Sequence, residues 1–424
     1  MIRIIKVSNV EKLASKIIPK HPQKNKSIIE SILKDVQKNG DKAIRKYEKK
    51  FSKANISSLR LSQVEIKNAY SKVSKSELDA LCLAKTRLEK TEKSIKSLLK
   101  NKIINSDGIK ITKKFIPIQS VGCYIPGGLA RYPSSAIMSI VPAKVAGVPR
   151  IAVVSPPNSD GKIDPLTIVA ADICGANEIY KTGGVQAIAA LSFGTKTIPK
   201  VDKIVGPGGA FVTSAKSLVS DQTGIDMLAG PTELGIIADN SANPKFVALD
   251  LISQSEHSSD TFCYLITTSE KLAKSVNDII SELLSKIQRA NLVKSSLKNN
   301  GFIAICKTKS DMVKLANLLA PEHLQIMTKN PSSISSQITS SGLILLGNNS
   351  PSSASDYILG SNHILPTSGF GKIRGSLSVL DFIKTNTEVS CSKSSLPKLS
   401  KHLEVLTKAE GLFNHYESVR GRLE

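Results

Sequence analysis

Residues 116–155 read IPIQSVGCYIPGGLARYPSSAIMSIVPAKVAGVPRIAVVS, and this stretch decides the fold class. Short apolar runs rich in Ile and Val, at 116–124 and 151–155, enclose a glycine turn and a helix-like segment. A strand–helix–strand order predicts a βαβ unit with two parallel strands in one sheet. The sequence therefore predicts an α/β protein.

The same alternation continues along most of the chain. Further candidate strands lie at 203–205, 234–238, 261–266, 302–306 and 343–346. Their number leaves room for two α/β units with parallel-rich sheets. Because ligands of open α/β sheets bind at the carboxyl ends of the strands, we expect the functional residues to follow these runs directly.

The two ends of the chain have different sequence patterns from the middle. Residues 1 to about 105 have a helical pattern, with apolar residues on one face and Lys, Glu and Asp between them. From about residue 380 the chain is polar, and we predict a helical tail. The serine-rich segments 331–341 and 390–400 are predicted to be loops.

Composition excludes several classes of protein. The chain has 424 residues, 41% of them hydrophobic and 22% charged, as expected for a globular protein of more than one domain. No apolar run approaches the roughly 18 residues that span a bilayer, and the N-terminus lacks a signal-peptide core, so we expect a cytoplasmic protein. Six cysteines without a C-x-x-C pair argue against a disulfide framework and a thiolate zinc cluster.

The formal net charge of +23 raises the question of nucleic-acid binding. The lysines, however, are spread along the whole chain, and no aromatic-flanked basic cluster or nucleic-acid motif is present. We interpret the charge as surface solvation that could also attract an anionic cofactor.

Histidine is the residue type that first points to chemistry, because the chain has only six. Two of them follow Glu, in Glu256-His257 and Glu322-His323, and His363 follows Asp356 by seven residues. Imidazole and carboxylate are zinc ligands, and neutral His is a base near pH 7. The spacing matches no local metal motif, so spacing alone leaves a metal site open.

Glycine turns follow three candidate strands. The turn at 206–209, GPGG, precedes a helical pattern, and backbone N–H groups at such a turn can approach a phosphate. The pattern is not G-x-G-x-x-G, so a plain βα turn is an equally good interpretation. The turns at 126–128 and 182–184 are similar.

Taken together, these stretches resemble the histidinol dehydrogenase family. The matching stretches are VGCYIPGG at 121–128, YPSS at 132–135, PAKVAGV at 142–148, IDM at 225–227, AGP at 229–231, the run 250–257, APEHL at 320–324, GSNHILPT at 360–367, and EGL at 410–412 with His415. They occur in order from about residue 20 to the C-terminus, which makes a chance match improbable.

The resemblance implies a fold and a domain plan. The fold would contain two Rossmann-like units with parallel-rich sheets, arranged as in aldehyde dehydrogenases. Residues 1–22 would form an N-terminal arm, and 23–125 with 235–378 a first α/β unit that carries most of the catalytic site. Residues 126–234 would form a second α/β unit on the NAD side, and 379–424 a helical tail that reaches the site across a dimer.

The resemblance also implies a reaction, which is the zinc-requiring four-electron oxidation of L-histidinol to L-histidine. Two NAD molecules would be reduced in turn, while L-histidinal stays bound between the two steps. The active enzyme would be a cytoplasmic homodimer with shared sites that acts in histidine biosynthesis, with one Zn²⁺ per subunit. It would bind neither nucleic acid nor membrane.

Roles carry over onto the positions that match the family motifs. The zinc ligands would be Gln254, His257, Asp356 and the partner subunit's His415. His323 would be the general base and Glu322 the residue that activates water. The substrate contacts would be Thr232, His363 and Glu410, together with the four zinc ligands and His323. The cofactor contacts would be Tyr124, Gln186 and Gly209.

Two positions depart from the family pattern. Gly209 stands where the family usually has Asn, which puts one cofactor contact in doubt because glycine has no side chain. Thr232 stands where the family commonly has Ser, and its additional methyl group could reshape the substrate pocket.

Three alternatives remain open. The chain could be a dehydrogenase of the same family that acts on another small amino alcohol or polyol. It could be a basic nucleic-acid-binding protein on an inactive enzyme fold. It could also be a thiol-dependent aldehyde dehydrogenase that uses Cys123, although no adjacent base or cation is visible to ionise this cysteine.

Overall fold

The computed structural model describes residues 2–17, 25–127 and 131–423. Gly128 of the turn predicted at 126–128 lies outside these residues, as does part of the N-terminal arm predicted at 1–22. The strands are β1 (Arg3–Lys6), β2 (Lys102–Ser106), β3 (Ile109–Pro117), β4 (Ser120–Tyr124), β5 (Arg150–Ser155), β6 (Glu178–Lys181), β7 (Lys203–Val205), β8 (Gly224–Ile225), β9 (Glu233–Ala238), β10 (Phe262–Thr267), β11 (Phe302–Ile305), β12 (His323–Met327), β13 (Leu343–Leu346) and β14 (Ile383–Cys391).

Helices separate most of these strands. The α-helices are α1 (Val10–Ile17), α2 (Lys26–Asn39), α3 (Asp41–Phe51), α4 (Gln63–Tyr70), α5 (Lys75–Ser97), α6 (Pro133–Ala146), α7 (Pro165–Ile173), α8 (Gly184–Phe193), α9 (Ala210–Leu218), α10 (Pro244–Ser255), α11 (Glu270–Leu283), α12 (Ala290–Asn299), α13 (Lys309–Leu319), α14 (Pro331–Ser335), α15 (Ser352–Tyr357), α16 (Leu396–Ala409) and α17 (Phe413–Arg420). Short 3₁₀ helices occupy Phe370–Lys372 and Val379–Phe382.

Two parallel sheets confirm the predicted α/β class. A five-stranded sheet has the order β6-β5-β4-β7-β8, and a six-stranded sheet has the order β1-β11-β10-β9-β12-β13. All strand pairs within both sheets are parallel. Each sheet has a central strand, β4 or β9, which is the first strand of its βα repeats in the chain. The following strands are added first on one side of it and then on the other, so the strand order reverses beside it.

The strands of the five-stranded sheet are buried on both faces, which explains their continuous apolar sequence. Val121, Cys123 and Val153 pack against helices on one face, among them α5, α6 and α7. Tyr124 and Val154 point to the other face and pack against α2, α3, α8 and α9. This alternation is the two-residue period of a strand.

A third sheet was not predicted. It is antiparallel, with the order β14-β3-β2, and Ile383 to Cys391 pair with Pro117 to Ile109. The tail predicted to be helical therefore begins with a strand, and the helices α16 and α17 follow it. The run predicted as one strand at 116–124 is divided between β3 and β4 at residues 118–119.

The N-terminus also differs from the prediction of an all-helical segment. Arg3 to Lys6 form β1, which pairs with Phe302 to Ile305 of β11 at the edge of the six-stranded sheet. This strand is short and contains a basic residue at each end, so its sequence gives a weak signal. Among the described residues, no helix is both long enough and apolar enough to span a membrane.

A buried carboxyl group on α5 gives the fold a pH-dependent element. Glu92 is only 2% exposed, and its Oε2 accepts a hydrogen bond from Val379 N at 2.6 Å. Burial raises the pKa of Glu92 to about 7, the hydrogen bond from Val379 opposes this shift, and the charge of Asp381 adds to it. The folded state therefore retains a proton that the unfolded chain loses at a lower pH.

We expect Glu92→Gln to remove a pH dependence of stability. In the wild type, the free energy of unfolding should fall as the pH rises from about 4.5 to about 7, by on the order of 2–3 kcal/mol. Glutamine keeps an acceptor for Val379 N but does not ionise, so the variant should gain stability over the wild type as the pH rises. Thermal unfolding from pH 5 to 8 measures this, and a difference that is constant with pH would contradict it.

Candidate active site

The candidate catalytic residues lie at the amino ends of strands in the six-stranded sheet. His323 is the first residue of β12, Glu322 precedes it, and Glu233 is the first residue of the neighbouring strand β9. This candidate group therefore lies at the opposite ends of the strands from those where functional residues were expected. Tyr124, at the end of β4, and the turn at 206–209, which follows β7, lie at the expected ends.

Glu322 is held by two hydrogen bonds. Its Oε2 accepts from Thr232 Oγ1 at 2.6 Å and from Glu233 N at 2.7 Å. The Thr232 hydroxyl donates its only proton to Glu322, so it must accept from Gln254 Nε2, which lies 2.7 Å away. Thr232 thus keeps the hydroxyl of the usual serine and links Gln254 to Glu322, while its added methyl group does not disturb this connection.

The orientation of the Gln254 amide follows from this chain of hydrogen bonds. Because Nε2 donates to Thr232, the amide oxygen is the atom left to meet another group. Its neighbour is the Ser352 hydroxyl on α15, at 3.5 Å, which is the limit of a hydrogen bond. Gln254 itself is buried near the end of α10, and His257 follows that helix at the surface.

His323 is buried between two acceptors. Its Nδ1 lies 3.2 Å from Glu233 O, and its Nε2 lies 3.1 Å from Asp356 Oδ1. A carbonyl oxygen can only accept, so Nδ1 carries a proton and Nε2 is the nitrogen that can exchange one. Burial lowers the pKa of His323, but the charges of Glu322 and Asp356 and their hydrogen bonds outweigh burial, so its pKa lies well above the ordinary value.

Asp356 forms hydrogen bonds with two of the predicted histidines, His323 and His363. Its backbone oxygen accepts from His363 Nδ1 at 2.7 Å, and His363 Nε2 lies 3.4 Å from Ser135 Oγ. Burial raises the pKa of the Asp356 carboxyl. The His323 hydrogen bond and the charges of His323, His363 and His257 lower this pKa by a larger amount, so the net shift is downward. His257 is therefore within electrostatic range of Asp356.

Two predicted site residues lie elsewhere in the subunit. Glu410 follows α16 and His415 lies in α17, and both side chains are exposed. The two helices pack against each other, and Ser395, which precedes α16, donates from its hydroxyl to Asp107 O in the turn between β2 and β3 at 2.6 Å. Within the described residues, no three His, Cys, Asp or Glu side chains form a metal-binding group.

Two of the candidate cofactor residues, Tyr124 and Gln186, are buried near the carboxyl ends of the strands of the five-stranded sheet. The Tyr124 hydroxyl accepts from Gly184 N at 3.1 Å, and Gln186 Nε2 donates to Glu48 Oε1 at 2.7 Å. Glu48 is fully buried and also accepts from Thr182 Oγ1 and Gly183 N, both at 2.9 Å. Sequence reasoning missed Glu48, because it lies more than 130 residues before its partners, in a helix whose charged residues are otherwise mostly exposed.

The turn at 206–209 is held against the end of β4. Gly206 has a φ of 115°, and a Cβ there would overlap the backbone oxygen of Tyr124, so this position requires glycine. A buried ion pair between Lys216 and Asp226 fixes the turn, since Asp226 accepts from Gly206 N and Lys216 donates to Gly206 O. At Gly209 a Cβ would meet nothing within 4 Å, so the place of the family's usual Asn is open space.

A chain of contacts connects this turn to the candidate catalytic residues. Thr213 Oγ1 lies 3.2 Å from Gly208 O and 2.8 Å from Ala229 O. The next residue, Gly230, donates from its N–H to Thr367 Oγ1 at 2.5 Å. Residues 229–232 therefore run from the glycine turn to Glu322.

Cys123 is not available as a nucleophile. It is fully buried in β4, and burial raises the pKa of its thiol far above the ordinary value. It packs with the apolar core between the five-stranded sheet and α6, which rules out the thiol-dependent alternative.

The fold and the site together define an oxidoreductase of the dehydrogenase type. The histidinol dehydrogenase family model matches residues 19–423. Histidinol dehydrogenase from Methanocaldococcus jannaschii is 43% identical over 93% of this chain and 91% of its own length. The Clostridium acetobutylicum enzyme is 41% identical over 100% of this chain and 99% of its own.

A solved structure agrees with these relatives. The crystal structure of histidinol dehydrogenase from Elizabethkingia anophelis matches with a TM-score of 0.94 at 35% identity, covering 100% of this chain and 98% of that one. The chain belongs to the histidinol dehydrogenase family. This membership supports oxidation of histidinol in histidine biosynthesis.

Proposed function

We propose that this chain oxidises L-histidinol to L-histidine through bound L-histidinal, with two NAD molecules and one zinc ion per subunit. The observation that carries the proposal is the connected group Gln254–Thr232–Glu322, which lies beside His323 and Asp356. It brings an acid–base pair next to two candidate metal ligands.

The donor set fits zinc. An amide oxygen, an imidazole and a carboxylate come from Gln254, His257 and Asp356, and the partner subunit's His415 would add a second imidazole. The hydrogen bond from Gln254 Nε2 to Thr232 leaves the amide oxygen, whose neighbour is the Ser352 hydroxyl at 3.5 Å, as the candidate ligand atom. A bound zinc ion would hold the substrate's amine and imidazole and thereby fix the position of the alcohol carbon.

The protein's own residues handle the protons. Hydride loss from the alcohol carbon requires the hydroxyl proton to leave, and His323 Nε2 is the nitrogen that takes it. Binding of Asp356 to zinc would weaken its hydrogen bond to His323 Nε2 and would thereby favour the neutral imidazole that accepts the proton. In the second oxidation the aldehyde gains water, and the Glu322 carboxylate takes a proton from that water.

The five-stranded sheet is the proposed NAD side. Its strand order reverses beside β4, so the carboxyl ends of β4 and β7 form a crevice. Tyr124, Gln186 and Gly209 lie at this crevice. The same order in both sheets supports two Rossmann-like units, which we propose are arranged as in aldehyde dehydrogenases. Their division differs from the boundaries expected above, because β4 and helices α2 to α5 belong with the five-stranded sheet and β1 joins the six-stranded sheet.

The position of the C-terminal helices supports the proposed dimer. Glu410 and His415 lie outside the site of their own subunit, so they would complete the site of a second copy. Residues 383–423, called the C-terminal arm below, carry exposed apolar side chains that are available for such an interface: Val389, Leu399, Val405, Leu406, Leu412 and Phe413.

The stoichiometry of NADH tests the proposal. We expect the zinc-loaded protein to form two NADH per L-histidinol consumed, with histidine as the product. One NADH with released aldehyde would refute the second oxidation. If histidinol is not turned over but another amino alcohol or polyol is, the family assignment would stand and the proposed substrate would be wrong.

A further inference from the structure

Glu233 is a buried acid that neither the sequence motifs nor the resemblance assigns a role. It is the first residue of β9 and is 3% exposed. It uses both backbone polar groups and both carboxyl oxygens in hydrogen bonds, and three of these four reach Glu322 or His323.

The backbone of Glu233 contacts both candidate catalytic side chains. Its N–H donates to Glu322 Oε2 at 2.7 Å, and its carbonyl accepts from His323 Nδ1 at 3.2 Å. These two contacts do not depend on which side chain is present at position 233. A substitution there therefore leaves the hydrogen bond to His323 in place.

The side chain of Glu233 joins three separate segments. Its Oε2 accepts from Glu322 N at 3.2 Å, and its Oε1 accepts from Ser368 N at 2.8 Å. Ser368 has a φ of 55°, which is a strained conformation for a residue other than glycine. The carboxyl group thus holds the starts of β9 and β12 against the turn that contains Thr367 and Ser368.

Two acceptor oxygens are required at this position. The two N–H donors come from different segments and each meets its own carboxyl oxygen, whereas an amide offers only one oxygen. Burial raises the pKa of Glu233 to about 8 and the charge of Glu322 adds to this shift, while the Ser368 and Glu322 N–H groups and the charge of His323 oppose it. A buried acid is unfavourable here, so packing alone does not explain it.

We propose that Glu233 is a positioning residue for the aldehyde-oxidising half of the reaction, because its carboxyl group fixes the backbone from which Glu322 projects. The inference rests on the proposed function. Since the side chain holds Glu322 but not His323, its loss should affect the step that uses Glu322 more than the step that uses His323.

Separate rates for the two half-reactions test this. Stopped-flow formation of the first NADH from L-histidinol reports the alcohol step, and steady-state turnover of L-histidinal reports the aldehyde step. We expect Glu233→Gln to lower kcat with L-histidinal roughly ten- to a hundredfold, with KM and the alcohol step changed by less than about threefold. Glu233→Asp, which is too short to bridge both donors, should act in the same direction.

Glu92→Gln is the matched control, because Glu92 is also a buried acid that accepts a backbone N–H, and it lies outside the site. It should leave both half-reactions unchanged. Equal losses in both half-reactions for Glu233→Gln, in proportion to lost folded protein, would overturn the inference, as would wild-type aldehyde turnover in both Glu233 variants. Inactivity of the wild type with both substrates would instead refute the proposed function, and the inference with it.

Discussion

Glu322→Gln is expected to stop the reaction after the first NADH. Glutamine keeps an oxygen that can accept from Thr232 Oγ1 and Glu233 N, the two donors that Glu322 Oε2 meets. The variant should therefore retain the local geometry while losing the ability to take a proton from water. We expect a burst of about one NADH per active subunit with L-histidinol, followed by turnover slowed on the order of a hundred- to ten-thousandfold.

Turnover of L-histidinal measures the aldehyde step of Glu322→Gln separately from the alcohol step. The same loss should appear when the aldehyde is the substrate, because the missing proton transfer belongs to the aldehyde step. Glu92→Gln serves as the control for the loss of a buried carboxyl group. Two NADH per histidinol at the wild-type rate in Glu322→Gln would assign water activation to another residue.

The sequence predicted the part of the fold whose strands are buried on both faces. The runs at 151–155 and 234–238 are continuous in apolar residues because helices cover both sides of each sheet, and this pattern survives in a single sequence. β14 was missed because its residues are exposed or half-buried and polar ones predominate. Its pairing with β3 depends on residues about 270 positions away.

The candidate site was predictable only in part. Glu322 and His323 are adjacent in sequence, so their motif could be recognised. The supporting acids could not, because Glu233 lies 89 residues before Glu322 in the chain and Glu48 lies 138 before Gln186. Their roles arise when strands or helices come together, and a buried acid gives no sign of its burial in one sequence. The general rule that sites lie at the carboxyl ends of strands also did not locate this group, since the candidate catalytic residues lie at the amino ends of β9 and β12.

Mixing two inactive variants should restore activity if the C-terminal arm completes the site of a second subunit. His323→Ala removes the proposed base but keeps the arm, and His415→Ala removes the arm's proposed ligand but keeps the base. Each homodimer should be inactive. A heterodimer would contain one site with both histidines intact, so random exchange should give about a quarter of wild-type activity.

The arm offers its own control. His402 is exposed on α16, receives no role in the site, and lies on the same segment as His415. His402→Ala should remain active alone, because removing an exposed imidazole there touches neither the proposed ligands nor the base. Subunits should be exchanged under mild denaturation and refolding, with zinc and NAD in excess. If the mixture of His323→Ala and His415→Ala stays inactive while wild-type subunits survive the same treatment, His415 does not act across subunits, and the ligand set must be sought within one chain.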